Sequence, residues 1–278
     1  MTKLSLNGCS SLTWISCSYS NSLTGIDLSS CTELTYLSFH YSSGLTDVNL
    51  SANNKLESIE ICTTALTDLD ISDKLNLTRI ECYGNENLEK LVITNCPELD
   101  FLDCNGCSLE ALNVGSCSKL QSLYCDQNWL TSLEIAPDCL TSLDCSQNML
   151  DGTLDLTAFT KLDHLGCTNN MLENLILPPS VSTLICSTNN LSELDITSCP
   201  ELMKSGDEDS FCVGKQRKNK VLTLHLTSQQ NRYWLRTYSE TDENTNSNIL
   251  LEDDKNLFHI AFGEPGGKKH VIDLVYAT

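Results

Sequence analysis

The stretch LTSLDCSQNML at residues 140–150 is followed 22 residues later by LDHLGCTNNML at 162–172. Both copies read Leu-x-x-Leu-x-Cys-x-x-Asn. Working outward, the six-residue core of the pattern, with apolar variants, begins at Leu12, Leu34, Leu56, Leu77, Leu99, Leu120, Leu140, Leu162 and Val181. The steps between these starts are 22, 22, 21, 22, 21, 20, 22 and 19 residues. The sixth position holds Cys17, Phe39, Ile61, Cys82, Cys104, Cys125, Cys145, Cys167 and Cys186. Asn follows three residues later as Asn85, Asn128, Asn148, Asn170 and Asn189, and a second apolar triplet comes next, as in Leu130, Leu133 and Ile135. Leu143, Asp144 and Cys145 alternate in, out, in, as a strand with one buried face requires. The Asn is suited to satisfying backbone groups where the chain leaves the strand. A unit this short cannot bury its apolar side alone, so the copies must stack on one another.

These segments resemble the leucine-rich-repeat signature. Cys in place of an inward aliphatic, at a period near 21, resembles the cysteine-ladder repeats of internalin-type proteins and of surface leucine-rich-repeat proteins of Bacteroidetes. The resemblance covers residues 1 to about 202. It implies an α/β-type repeat solenoid, a right-handed superhelix with a concave parallel sheet and short extended or 3₁₀ segments on the convex side. It transfers no ligand, because such proteins read ligands with their variable positions.

Sixteen cysteines would ordinarily suggest disulfides or metal. Here a second column, Cys9, Cys31, Cys96, Cys117 and Cys199, with Asn53 in the same slot, lies three residues after the second triplet. Stacked residues in parallel register point their Cβ atoms the same way, which opposes disulfide geometry. The cysteines therefore read as reduced, buried, small hydrophobes. Cys104-x-x-Cys107 has zinc-like spacing, but Cys104 belongs to the ladder, Cys107 replaces the turn Asn, and no second pair stands at ligand spacing. No metal and no cofactor are expected.

The net charge is -20. Residues 1–202 hold 7 Lys and Arg against 26 Asp and Glu, a net of -19, and residues 203–278 hold 10 against 11, a net of -1. Such an acidic surface opposes nucleic acid and anionic membranes, and no apolar run is long enough to insert in a bilayer. Motifs for serine hydrolysis, zinc proteolysis, phosphate loops and dinucleotide binding are absent, so an enzyme is not expected. The Asn-Leu-Thr at 76–78 and Asn-Leu-Ser at 190–192 match glycosylation acceptors as by-products of repeat composition.

Residues 4–11 already match the second half of a repeat, so the solenoid starts in mid-turn without a polar cap. This predicts a fragment of a longer chain, with upstream repeats or a cap and an export signal preceding it. The organisation expected is a solenoid over 1–202 and a C-terminal capping domain over 203–278. KSGDEDS (204–210) reads as a loop, KVLTLHL (220–226) as a strand, and Thr227 with Gln230 as a capping box before a helix from Ser228 to Ser239. After a polar connection over 240–248, NILLE (248–252) reads as a short strand, and LFHIAF (257–262) with HVIDLVYA (270–277) reads as a terminal hairpin. This β-α-β plus hairpin cap could also serve as an attachment module.

Positions three, five and seven of each repeat are expected to face solvent on the concave sheet. Position three runs Trp14, Tyr36, Ser58, Arg79, Phe101, and position five carries Glu60, Glu81, Asp103, Tyr124 and Asp144. Aromatics on a solvated strand face imply contact with something, or cross-strand neighbours that merely support the sheet. The candidate ligand-binding residues are Trp14, Tyr36, His40, Arg79, Tyr83, Phe101, Asp103, Tyr124 and Asp126. Trp129, Met149 and Met171 follow the turn Asn and read as edge packing or a second contact surface. The expected function is recognition of a protein or glycan ligand by a monomer at a bacterial surface, in adhesion or host interaction. The competing reading is a stalk that displays another domain.

Overall fold

The computed structural model describes residues 4–202, 211–213, 216, 221–226, 230, 258–262 and 270–276. The chain divides into two compact units, Met1–Met149 and Leu150–Thr278. In the first unit one strand per turn joins a parallel ladder: Trp14–Ser16, Tyr36–His40, Ser58–Cys62, Arg79–Glu81, Phe101–Asp103, Ser122–Tyr124 and Ser142–Asp144. The register keeps repeat positions opposite one another, so that Trp14, Tyr36, Ser58, Arg79, Phe101, Ser122 and Ser142 form one column. Second triplets pair in parallel as well, for example Asp68–Asp70 with Lys90–Val92 and Asn113–Val114 with Glu134–Ile135. In the second unit His164–Gly166, Thr183–Ile185 and Phe211–Cys212 form ladder strands, and Asp151–Asp155 pairs with Met171–Ile176.

The core lies between the two sets of strands and consists of the repeat columns. Leu34, Leu37, Leu56, Ile59, Leu77 and Ile80 are fully buried, as are the sixth-position residues Phe39, Ile61, Cys82, Cys104 and Cys125. A thiol occupies less room than an aliphatic side chain and needs no hydrogen bond, so it fills the narrow interior of the turn without leaving a costly polar group. Cys82, Cys104, Cys125 and Cys186 are thiols. Burial pushes Cys82 and Cys104 well above the ordinary thiol range, and Cys107 is pushed up to about 12 for the same reason. The second column is buried too, with Cys96 donating to the Ile71 carbonyl at 3.3 Å. Lys74 occupies a slot of that column in one turn, its carbonyl accepting from Leu77 as that of Cys31 accepts from Leu34.

Each turn leaves the ladder through a residue with positive φ: Tyr19, Tyr41, Thr63, Gly84, Gly106, Gln127, Gln147, Asn169 and Thr188. The left-handed conformation bends the chain away from the strand while its amide still bonds the next turn, as Tyr19 N–H donates to the His40 carbonyl at 2.8 Å. After Gly84, Gln127, Gln147, Asn169 and Thr188 the following residue is the buried Asn of the repeat, whereas Ser20, Ser42, Thr64 and Cys107 stand there in the other turns. Asn128 donates to the carbonyls of Cys104 at 3.0 Å, Cys125 at 3.2 Å and Asp126 at 3.2 Å, and accepts from Leu109 N–H at 3.0 Å. Asn148 and Asn189 make the same set. Where Cys107 replaces Asn, its thiol still reaches the carbonyl of the preceding turn, Cys82, at 3.3 Å.

The sequence period halts at Leu202, yet the ladder has one more rung. Phe211 pairs with Leu184 and Cys212 with Ile185. Val213 is buried in the sixth-position column, and Gln216 performs the work of the turn Asn, accepting from Leu191 and donating to Cys186 and Val213. Gln230 likewise donates to the carbonyls of Ile196 at 2.7 Å and Cys199 at 2.8 Å, as Asn53 does to Leu28 and Cys31. Val221–Leu226 pairs in parallel with Glu193–Asp195 and with His270–Tyr276, and the latter runs antiparallel to Phe258–Phe262. The expected strand and hairpin are thus in place. Of the helix expected over 228–239 only Gln230 is described, and the expected loop at 204–210, the connection at 240–248 and the strand at 248–252 lie outside the described residues.

Candidate ligand-binding face

The columns at positions three, five and seven build one solvent-facing surface on the first unit. At its start the Trp14 and Tyr36 rings stack at 5.6 Å with 8° between their planes. Tyr36 donates its hydroxyl to Glu60 Oε2 at 2.7 Å, and His40 Nε2 lies 3.0 Å from the same oxygen. His40 in turn lies 6.4 Å, ring to ring, from both Tyr41 and Tyr83. Tyr41 stacks on Tyr19 at 5.1 Å. Burial raises the Glu60 carboxyl, but the bonds from His40 and Tyr36 outweigh it and leave Glu60 below the ordinary carboxylate range. Burial first, and the bond to Glu60 second, push Tyr36 upward. Tyr83 is pushed up to about 12, chiefly by burial and then by its neighbour Cys62.

The next rungs form a second group. Arg79 holds Glu81 Oε1 through Nε at 2.8 Å and Nη2 at 2.6 Å, and its guanidinium lies 3.7 Å above the Phe101 ring. Phe101 meets Tyr124 at 5.7 Å with the rings tilted by 51°. Glu60 and Glu81, which stack opposite each other, would repel if bare. The His40 and Tyr36 bonds on one and the Arg79 fork on the other supply the partners that the acid column requires.

Asp103, Asp126 and Asp144 close the surface, and their bonded partners are neutral. Asp103 accepts from Asn105, Asp126 from Gln127, and Asp144 from the Ser146 amide. Burial raises the Asp103 and Asp126 carboxyls, and neighbouring carboxylates add to it, Glu81 on Asp103 and Asp144 on Asp126.

Trp14 is 58 % exposed, and the other expected residues, Tyr36, His40, Arg79, Tyr83, Phe101, Asp103, Tyr124 and Asp126, are half-buried. Not every position on the face is open: Ser38 and Cys62 are buried, the Cys62 thiol donating to the Glu81 carbonyl at 3.5 Å. Tyr19 and Tyr41, absent from the sequence-derived set, are more exposed than most of it, at 73 % and 45 %. They sit at the left-handed corner position, where other turns use Gly, Gln, Asn or Thr. A tyrosine there is unfavourable by backbone preference, and that mismatch was the available signal. Trp129 and Met149 remain exposed beside the turn.

Other features answer to structure. Among the described residues no three His, Cys, Asp or Glu side chains are grouped to hold a metal ion, and the raised thiols of Cys104 and Cys107 oppose the thiolate form zinc needs. A cleft of about 410 Å³ lies beside the second-triplet strands, lined by Asp47, Asp68, Asp70 and Lys74 among others. The buried Lys74 ammonium donates to the Ser72 carbonyl at 2.8 Å and helps hold Asp70 low, after the bonds from Ser72.

The chain matches no family model and no curated protein. Among solved structures, the functional domain of InlJ from Listeria monocytogenes, described as including a cysteine ladder, superposes with a TM-score of 0.51 at 23% identity over 81% of this chain. The chain has the leucine-rich-repeat fold. Internalin InlF of Listeria monocytogenes gives 0.51 at 17% identity, over 82% of this chain and 78% of its own. A chain of the LRIM1/APL1C complex gives 0.52 at 19% identity, over 98% of this chain and 48% of its own. This leucine-rich-repeat chain spans 61% of the InlJ domain's length. Among the described residues no helix is long and apolar enough to cross a membrane.

Proposed function

We propose that this leucine-rich-repeat chain is a non-enzymatic recognition protein that binds a protein ligand on the solvent-facing columns between Trp14 and Asp144, at or outside a bacterial cell surface. The observation that carries this is the exposed aromatic cluster: Trp14, Tyr19 and Tyr41 present open ring surface on one side of one unit. Covering about 100 Å² on each of three such rings is worth roughly 7 kcal/mol before association costs of about 4–15 kcal/mol. The rings therefore act as anchors, and the polar groups around them must contribute the rest. The two stacks favour protein over glycan. Trp14 and Tyr36 cover each other's inner faces, as do Tyr19 and Tyr41, and Arg79 covers one face of Phe101. Trp14 and Tyr19 keep open ring surface, whereas Tyr36, Phe101 and Tyr124 are half-buried and suit packing by protein side chains better than sugar stacking. The fold and the listerial relatives support a surface or secreted setting.

The test is a binding screen of the purified chain against arrayed surface proteins and arrayed glycans, with a Trp14→Ser/Tyr36→Ser/Tyr41→Ser variant that keeps its circular dichroism and cooperative melting. A protein ligand lost in the variant supports the reading. Ligands that bind both forms equally, or no ligand at all, would favour the stalk.

A further inference from the structure

We propose that the ligand of this face is a basic polypeptide segment, with an apolar stretch seated on the Trp14, Tyr36 and Tyr41 end and lysine or arginine residues on the Asp103, Asp126 and Asp144 end. The inference rests on the recognition reading above and adds the chemistry of the partner.

The face is divided by charge state. At the aromatic end its acids are already answered, Glu60 by His40 and Tyr36 and Glu81 by Arg79. At the other end Asp103, Asp126 and Asp144 stand one per rung, and among the described residues no lysine, arginine or histidine forms an ion pair with them. Arg79, the nearest cation of the face, is committed to Glu81 and Phe101. Burial, with repulsion from Glu81 on Asp103 and from Asp144 and Asp103 on Asp126, holds both carboxyls above their usual range although Arg79 partly offsets it at Asp103, and an incoming cation relieves both. Tyr124 shares a rung with Ser122 between these acids, and its ring offers an apolar wall to a long cationic side chain.

Distance sets the size of the partner. From the Trp14 rung to the Ser142 rung there are six steps, or about 29 Å at ~4.8 Å each. An extended segment of about nine residues covers that span at ~3.3 Å per residue. The wider field agrees, since residues 1–202 carry a net of -19, which draws in a basic partner and repels acidic ones. It also opposes a second copy of this chain, which brings another -20.

The experiment uses three labelled decapeptides in fluorescence anisotropy with the whole chain. One has five apolar residues followed by five arginines, the second replaces the arginines with glutamates, and the third alternates apolar residues with arginines. The block arginine peptide is expected to bind at least tenfold more tightly than either other peptide, and to weaken at least tenfold between 50 and 300 mM salt. An Asp103→Asn/Asp126→Asn/Asp144→Asn variant with unchanged or raised melting temperature is expected to lose at least tenfold in affinity. Equal binding of arginine and glutamate peptides, or indifference to the triple variant, overturns the proposal. The array screen separates the two levels. A protein hit that depends on Trp14 and Tyr36 but not on these aspartates or on salt sinks the basic-segment inference and leaves protein recognition standing. A glycan hit that depends on the rings sinks both.

Discussion

Asn128→Ala is the perturbation whose cost follows most directly from the geometry. The amide is buried, accepts from the Leu109 amide at 3.0 Å and donates to the Cys104 carbonyl at 3.0 Å. It also donates to the Cys125 carbonyl, but that oxygen keeps the Asn148 amide at 3.0 Å. Alanine therefore orphans two buried groups, the Leu109 N–H and the Cys104 carbonyl. Each unsatisfied buried group costs about 1–3 kcal/mol, so the sum centres near 4 kcal/mol before the small cavity is added. At about 2–4 °C per kcal/mol for a unit of this size, the melting temperature should fall by roughly 8–16 °C. Local exchange at the Leu109 amide should accelerate by roughly one to two orders of magnitude, because the one bond it loses is worth about 1–3 kcal/mol. Thermal melting by circular dichroism and native-state hydrogen exchange measure the two effects. Lys119→Ala, which removes an exposed pair with Glu98, is the control and should cost less than about 1 kcal/mol. A melting temperature within 2 °C of wild type for Asn128→Ala would refute the view that the Asn column holds the turns together.

Three further outcomes are expected. Alkylation at pH 8 should leave Cys82, Cys104 and Cys125 unmodified in the folded chain and reach them after denaturation; labelling at the same rate in both states would contradict their burial and raised thiols. Asp126→Asn should raise the melting temperature at pH 7, with the gain vanishing below about pH 4. The sign follows because a carboxyl raised on folding binds more protons in the native than in the unfolded state, so it costs stability above the unfolded value near ~3.9 and nothing below it; a gain that persists at pH 3 would point to a cause other than charge. Glu60 runs the other way: its lowered carboxyl stabilises at neutral pH, and that contribution is lost as pH falls through its folded value, so Glu60→Gln should lower the melting temperature at pH 7 but not near pH 2.

Most of the solenoid could be read because a short period repeated many times fixes which side chains point inward. Once Cys82, Cys104 and Cys125 fall in one column, their burial and reduced state follow from stacking alone. The order of the solvent-facing columns was legible for the same reason, and the register Trp14, Tyr36, Ser58, Arg79, Phe101 is the one in the ladder. What the pattern hid were substitutions that keep the role and change the residue. Lys74 fills a cysteine slot and Val213 with Gln216 completes a rung, but an inserted stretch at 203–210 displaces that rung from the period. Glutamine is one methylene longer than asparagine, yet Gln216 reaches the equivalent carbonyls of Cys186 and Val213. Tyr19 and Tyr41 were hidden differently. Their importance lies in the left-handed corner, a backbone property that a hydrophobic period does not encode. The partners of Glu60 were also invisible, since His40 and Tyr36 meet it from two different columns of the neighbouring turn.

The side-chain amides of Asn85, Asn128, Asn148 and Asn189 each bond a carbonyl of their own turn and one of the turn before, as Asn189 does with Cys186 and Cys167. The junctions made by these four amides are therefore cut to the same template. A genetic deletion or duplication that removes or adds one whole turn rejoins matching halves, whereas a deletion of part of a turn leaves an amide facing the wrong atoms. Across these corners such a chain changes its length most readily in whole-turn increments. The separation between the aromatic and acidic ends of the face then changes in quanta of about 4.8 Å. Paralogues built this way would fall into discrete reach classes, each fitted to partners whose own contact points differ by that interval.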